Sequence, residues 1–220
     1  MTNPKIKTIV ADPPWFMCTG GSKTVNPKDH YPVQKTEDII KTLQDWMVEY
    51  PVAPEAHLYL WTINSFNSGN SKGILDGYEV CRALGFNPVT CIVWVKDNNS
   101  NPTPYGQRAT ELCIFAERHR KGLHKEVMYR GSGKPENVVG KGLTSSLDYL
   151  IAPRKEHSRK PSEFYDFVEN RSRGPYLECY SRTNRQNWIS AGNQVGTWTF
   201  IEEEKDQSVF DLFGGKKDGS

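Results

Sequence analysis

At 220 residues the chain is long enough for one α/β domain with a sizeable core. Hydrophobic residues make up 36% and charged residues 25%, which is ordinary for a globular protein. The sequence contains no apolar run of about 18 residues, the length needed to cross a membrane. The net charge of +2 does not by itself indicate a nucleic-acid-binding protein. The N-terminus lacks the apolar stretch of a signal peptide, so we expect a cytoplasmic protein.

The cysteines and histidines predict neither disulfides nor a metal site. The five cysteines are odd in number, widely scattered and form no C-x-x-C pair. His119 and His124 miss the i, i+4 spacing that would place two metal ligands on one face of a helix. We therefore expect no metal ion.

Charge is unevenly distributed along the chain. Basic residues are concentrated in residues 96–141 and 154–160, whereas acidic residues are concentrated in 37–55 and 202–206. This separation is compatible with one basic face that contacts phosphates, and equally compatible with a solvated surface.

The first predicted element is a short strand that ends at two prolines. Residues 5–11 are rich in β-branched side chains, and Asp-Pro-Pro-Trp follows them directly. The next segment, residues 16–33, is rich in Gly, Ser, Asn and Pro and predicts a long loop. Thr36 is expected to N-cap a helix that reaches about Tyr50 and presents one apolar face.

The remaining predicted elements alternate between strands and helices. Predicted strands cover residues 57–61, 88–95, 110–116 and 176–180, and predicted helices end at Gly85 and cover 161–170. This alternation predicts a mostly parallel sheet with helices on both faces, with ligand sites at the carboxyl ends of the strands. We expect one domain over residues 1–200 and a charged, flexible tail over 201–220.

Asp12-Pro13-Pro14-Trp15 presents hydrogen-bond acceptors on a rigid backbone, because proline fixes φ and has no N–H. An exocyclic amine offers two N–H donors on a flat ring. The Asp12 carboxylate and the Pro13 carbonyl can accept one each while Trp15 stacks on the ring, which aims the nitrogen lone pair at an electrophile. The alternative is that the prolines merely end a strand and that Trp15 belongs to the core.

This motif and a series of later landmarks resemble the DPPW-type adenine-amino (m6A) methyltransferase family, which includes the eukaryotic messenger-RNA writer subunit and short bacterial and phage relatives. The landmarks follow the family order over residues 8–196. They include His30-Tyr31-Pro32, Leu58–Thr62, Leu84-Gly85-Phe86, Ile92–Lys96, Glu111-Leu112-Cys113, His157–Pro161, Tyr176-Leu177-Glu178, Asn187-Trp188 and Gly192-Asn193-Gln194.

The resemblance implies a Rossmann-like, permuted fold in which the catalytic motif precedes the cofactor motif, with S-adenosyl-L-methionine as the cofactor. It implies catalytic roles for Asp12, Pro13, Pro14 and Trp15, and places Tyr31 beside the target base. Lys160 matches the family lysine that meets the methionine carboxylate of the cofactor. The other cofactor-binding positions that the resemblance implies are Glu178, Arg182, Asn193 and Gln194.

Three functional hypotheses follow from the motif and the resemblance. The leading one is methylation of the adenine amino group in DNA by a bacterial or phage enzyme, and the second is the same reaction on RNA. The third is a non-catalytic partner subunit, which the intact Asp-Pro-Pro-Trp motif disfavours. Nucleic acid is the expected partner in all three, with no membrane association, and the sequence leaves a homo-oligomer open.

The tail contains an apolar cluster, residues 209–213 (VFDLF), in a charged setting. Its Asp-Leu-Phe end resembles the peptide by which bacterial DNA enzymes dock on the sliding clamp, although the leading Gln-Leu is missing. Because the match is partial, the sequence favours the alternative in which Phe210 and Phe213 cap the domain's own core.

Overall fold

The computed structural model describes residues 5–16, 33–65, 72–97, 101–103, 106–118, 148–154 and 159–192. Within these ranges the elements follow one another as β1 (Ile6–Ala11), α1 (Thr36–Glu49), β2 (Val52–Thr62), α2 (Ile74–Ala83), β3 (Asn87–Lys96), β4 (Asn101–Thr103), β5 (Gly106–Arg108), β6 (Thr110–Arg118), β7 (Tyr149–Ala152), α3 (Ser162–Arg171), β8 (Tyr176–Cys179) and β9 (Trp188–Ala191). None of the helices described in these ranges has the length and apolar character needed to span a bilayer.

Seven strands form one sheet in the order β7-β3-β6-β2-β1-β8-β9, and β4 pairs with β5 in a separate hairpin. Strand β1 lies between β2 and β8 and is parallel to both. Strand β6 is antiparallel to β2 and β3, while β3–β7 and β8–β9 are parallel pairs. The mostly parallel sheet predicted from the sequence is confirmed, with β6 as its one reversed strand in the described part of the chain.

Helices cover both faces of the sheet, as predicted. On one face, Ile39 and Leu43 of α1 and Val80 of α2 pack against buried residues of β1, β2 and β6. On the other face, Phe164 of α3 packs with aromatic side chains of β2, β3 and β8. The sheet is therefore the middle layer, and each face has its own hydrophobic core.

Strand β2 is a fully buried central strand in its second half. Residues 56–62 are all buried, because the strand lies between β1 and β6 and has a helix layer on each face. Its side chains contribute alternately to the two cores: Leu58 and Leu60 to the core under α1 and α2, Tyr59 and Trp61 to the core under α3. This alternation places Trp61 on the α3 face, beside the site described below.

Several local predictions were wrong or incomplete. Lys35, not Thr36, is the N-cap of α1, and its side chain makes no capping hydrogen bond. Strand β2 begins five residues before the predicted start at His57, at Val52. The sequence pattern also missed β7 and the β4–β5 hairpin, because three- and four-residue strands carry too few side chains to show an alternating pattern.

Candidate active site

The charged side chains of the site meet at one edge of the sheet. Asp12 directly follows β1, Lys96 ends β3, and Lys160 precedes α3. Glu111 is the second residue of β6, and it reaches the same edge because β6 runs antiparallel to its neighbours and begins where they end. This edge is the carboxyl end of the parallel strands, where sites of α/β proteins are expected.

Four of these side chains form a chain of ion pairs. The Lys160 ammonium lies 2.9 Å from Asp12 Oδ2 and 3.1 Å from Glu111 Oε2, and the Lys96 ammonium lies 2.7 Å from Glu111 Oε1. Both lysines also lie over tryptophan rings, Lys160 at 4.9 Å from the centroid of Trp61. The two positive and two negative charges balance, which reduces the cost of burying them.

Burial and pairing shift the pKa values of these groups in different directions. Burial raises the pKa of the Asp12 carboxyl above its ordinary value, although the Lys160 ammonium opposes this shift. Burial alone would raise the pKa of Glu111, but the two lysines outweigh it and lower that pKa. Burial also disfavours the charged Lys160, but the two carboxylates outweigh it and raise the lysine pKa, so Lys160 stays protonated.

The backbone after β1 is held in place by its own hydrogen bonds. The Trp15 N–H donates to the Pro13 carbonyl at 2.9 Å. The Gln34 N–H donates to the Pro14 carbonyl at 2.8 Å, and the Phe16 N–H donates to the Gln34 carbonyl at 2.9 Å. The Gln34 side chain accepts a hydrogen bond of 2.7 Å from the Tyr180 hydroxyl. The motif is therefore tied to the segment before α1 and, through Tyr180, to the end of β8.

Trp15 lies in the core. It is only 8% exposed and packs with the residues under α1 and α2. Its indole N–H donates a buried hydrogen bond of 2.9 Å to the Trp61 carbonyl. This position agrees with the packing alternative considered from the sequence, and a role for Trp15 at the target base stays a prediction.

A second polar cluster lies at the end of β8. The Tyr165 hydroxyl of α3 donates to Glu178 Oε1 over 2.5 Å, and the Arg185 guanidinium lies 3.7 Å from the centroid of the Tyr165 ring. Burial raises the pKa of Glu178, although the Tyr165 hydrogen bond and the Arg185 charge partly oppose it. The Asp12 charge also acts on Glu178, so the two carboxylates belong to one electrostatic environment.

The structure brings four of the ten predicted site residues close to one another. Asp12 and Lys160 are in contact, and Glu178 and Arg182 lie close enough to Asp12 for their charges to interact with it. Tyr31, Asn193 and Gln194 lie outside the described residues, so their roles remain predictions.

The sequence analysis gave no role to four residues that complete the two clusters. Glu111 and Lys96 were only landmarks or part of a basic segment, and neither Tyr165 nor Arg185 was predicted. Glu111 joins the site because β6 runs antiparallel to its neighbours, and the sequence pattern does not show the direction of that strand. No sequence signal pointed to Tyr165.

The profile of the MT-A70 family matches residues 6–194, which is most of the chain. The chain belongs to the MT-A70 family. This match confirms the resemblance inferred from the motif and landmarks. It also agrees with the mixed α/β fold, since the matched range spans the sheet from β1 to β9.

Curated relatives align with nearly the whole chain at low identity. The "N(6)-adenosine-methyltransferase MT-A70-like protein" of Drosophila melanogaster is 22% identical over 207 residues, which cover 91% of this chain and 28% of that protein. The "N(6)-adenosine-methyltransferase catalytic subunit METTL3" of Homo sapiens is 24% identical over 198 residues, 87% of this chain and 28% of that protein. In Arabidopsis thaliana, "N(6)-adenosine-methyltransferase MT-A70-like" is 24% identical, with 89% of this chain and 24% of that protein covered. The chain thus spans about a quarter of these relatives.

Proposed function

We propose that this protein transfers a methyl group from S-adenosyl-L-methionine to the exocyclic amino group of adenine in a nucleic acid, with RNA as the first candidate substrate. The observation that carries the proposal is the position of Asp12. In a chain of this family, its carboxylate follows the interior strand β1, is held by a buried lysine, and keeps 28% of its side-chain surface exposed.

The amine would be oriented by two acceptors. Lys160 bonds to Oδ2 of Asp12, which leaves Oδ1 to accept one N–H of the amine. The Pro13 carbonyl accepts the Trp15 N–H and has a second lone pair for the other N–H. With both N–H bonds held, the nitrogen lone pair points away from the ring plane, and positioning alone accounts for a large part of the rate.

The charged groups at this edge match the chemistry of the cofactor. Lys160 donates to Asp12 and Glu111, and its ammonium has a third N–H for a carboxylate such as that of a methionine moiety. Glu178, at the end of the neighbouring strand, is suited to accept hydrogen bonds from ribose hydroxyls. Arg182 follows the same strand and adds positive charge near Asp12. The cofactor supplies an electrophilic methyl group when it is bound.

RNA is placed first because the curated relatives are named as N(6)-adenosine-methyltransferases, and adenosine is a ribonucleoside. The sequence-based preference for DNA and for a bacterial or phage origin rested on the shortness of the chain, and no contact in the described ranges favours it. Three relatives are named as subunits, which supports testing activity with a partner subunit as well as alone. In either polymer the target adenine has to be unstacked to reach a strand-end pocket.

The test is methyl transfer in vitro. Purified protein is incubated with isotope-labelled S-adenosylmethionine and with single-stranded RNA and DNA oligonucleotides of the same base sequence. Mass spectrometry of the nucleosides then measures N6-methyladenine. We expect label in adenine of the RNA, and a matched RNA in which every adenine is replaced by guanine should stay unlabelled.

Asp12→Asn is the control for the site. It keeps the shape of the side chain but removes the charged acceptor, so we expect turnover to fall by about 100-fold or more while cofactor affinity stays within about tenfold. Near-normal turnover of this variant would contradict the assignment of Asp12. If the label appears only in DNA, DNA and not RNA is the substrate. Absence of label in both polymers, with and without a partner subunit, would refute the proposed activity.

A further inference from the structure

Tyr165 is built into α3 so that its hydroxyl reaches the carboxylate at the end of β8. The hydrogen bond to Glu178 Oε1 is buried, and the two residues are only 8% and 9% exposed. Burial and the Glu178 charge raise the pKa of the Tyr165 phenol well above its ordinary value, which itself lies above neutral pH, so the phenol stays protonated. Tyr165 is therefore a fixed donor to one oxygen of Glu178.

The Tyr165 ring is itself held on two sides. The Arg185 guanidinium lies over its face at 3.7 Å, and Trp188 of β9 meets it at 5.4 Å with an interplanar angle of 79°. Trp188 in turn donates a hydrogen bond of 2.6 Å to Glu169 of α3. These contacts leave the hydroxyl with little freedom to turn away from Glu178.

Arg185 acts on Glu178 through charge as well as through the ring. Its Nε is buried and has no hydrogen-bond partner among the described residues, and its guanidinium lies over the Tyr165 ring. Its charge lowers the pKa of Glu178 and so favours the ionised carboxylate that burial disfavours. An ionised carboxylate has about four acceptor positions. Tyr165 occupies one of them, which leaves positions for a ligand.

A nearly buried carboxylate that keeps free acceptor positions beside a ligand site suits a vicinal diol, which presents two hydroxyl donors side by side. We propose that Tyr165 and Arg185 are positioning residues that hold Glu178 to bind the two ribose hydroxyls of the nucleoside cofactor. The inference rests on the proposed function, since it names residues that support the cofactor site. Neither residue contacts the reacting methyl group in this assignment.

The test compares two probes, S-adenosylhomocysteine and its 2′,3′-dideoxy analogue, by calorimetry. In Tyr165→Phe the ring stays and the hydroxyl is lost, so we expect S-adenosylhomocysteine to bind about tenfold more weakly, as for a lost hydrogen bond to a charged group. The dideoxy analogue should bind wild type and variant equally, because it lacks the hydroxyls that Glu178 would hold. Arg185→Ala, at a more exposed position, should show the same selectivity, and the double variant should lose no more than about the larger single effect.

Tyr176→Phe is the matched control. Tyr176 lies on β8, on the same sheet face, and its hydroxyl donates a buried hydrogen bond of 2.9 Å to the Ser172 carbonyl, away from Glu178. Removing it should lower stability but leave the affinity for both probes within about twofold. Equal losses for both probes in Tyr165→Phe, or no loss for either, would overturn the positioning role alone. A wild-type protein that binds neither probe would overturn the proposed function together with it.

Discussion

Replacing Glu111 by Gln tests whether the ion-pair chain supports the site. The carboxylate contacts two ammonium groups, Lys160 at 3.1 Å and Lys96 at 2.7 Å. The isosteric amide has one oxygen and one NH₂ group. The amide can accept a hydrogen bond from one lysine but presents N–H donors to the other. One of the two lysines therefore loses its acceptor at position 111.

The expected loss in the free energy of unfolding follows from the ion-pair distances and from the burial of the charged groups. At an effective dielectric constant of about 20, each pair contributes about 5–6 kcal/mol of attraction, most of which is offset by the cost of burying the charges. Glu111 keeps 29% of its side-chain surface exposed, whereas Lys160 is only 9% exposed. We therefore expect Glu111→Gln to lower the free energy of unfolding by about 2–3 kcal/mol, slightly less than for a fully buried pair.

Activity should fall as well, because Lys160 also holds Asp12. A displacement of about 1 Å at a positioned group costs about 100-fold in rate, which sets the expected loss. The Glu111 charge contributes to raising the pKa of Asp12, so its removal should move the acid limb of the rate profile to lower pH. This pH shift distinguishes an electrostatic role from simple loss of stability.

Urea unfolding and methyl-transfer kinetics at several pH values measure both effects. Glu117→Gln is the control, since Glu117 lies on the same strand but at the opposite end, beside the start of β3. We expect this variant to change stability by less than about 1 kcal/mol and to leave turnover unchanged. The reasoning would be refuted if the two variants behaved alike in stability, turnover and pH profile.

Two further predictions concern buried groups. Trp15→Phe keeps an aromatic ring in the core but leaves the Trp61 carbonyl without its donor. Thermal denaturation should therefore show a loss of about 1–2 kcal/mol in the free energy of unfolding, while kcat changes little. A large fall in kcat at unchanged stability would support a direct role for Trp15. Burial lowers the pKa of His57 from 6.5 to about 4, so as the pH falls the unfolded chain takes up the proton first and stability decreases. Urea unfolding should show about 2 kcal/mol lost between pH 7.5 and pH 5, and this loss should disappear in His57→Gln; an unchanged pH dependence in that variant would refute the assignment to His57.

Much of the fold was predictable because its signals are local. A β-branched run before Asp-Pro-Pro predicts a buried strand and its end, and the apolar spacing of α1 and α3 predicts which faces they bury. The buried Ile39, Leu43 and Phe164 confirm these patterns. The ordered landmarks identified the family because they combine many weak local signals in one order, and the family match confirms it.

The sequence by itself determined that Asp12 follows a strand and that Lys160 precedes a helix. Only the tertiary structure decided that these two residues meet, that the reversed strand β6 adds Glu111 to them, and that Tyr165 reaches Glu178. It also decided that the Trp15 ring packs in the core. The physical reason is that local periodicity reports which side of an element is buried, whereas strand direction and pairing depend on contacts between residues far apart in the chain. In this protein the contact between Asp12 and Lys160 depends on such long-range packing.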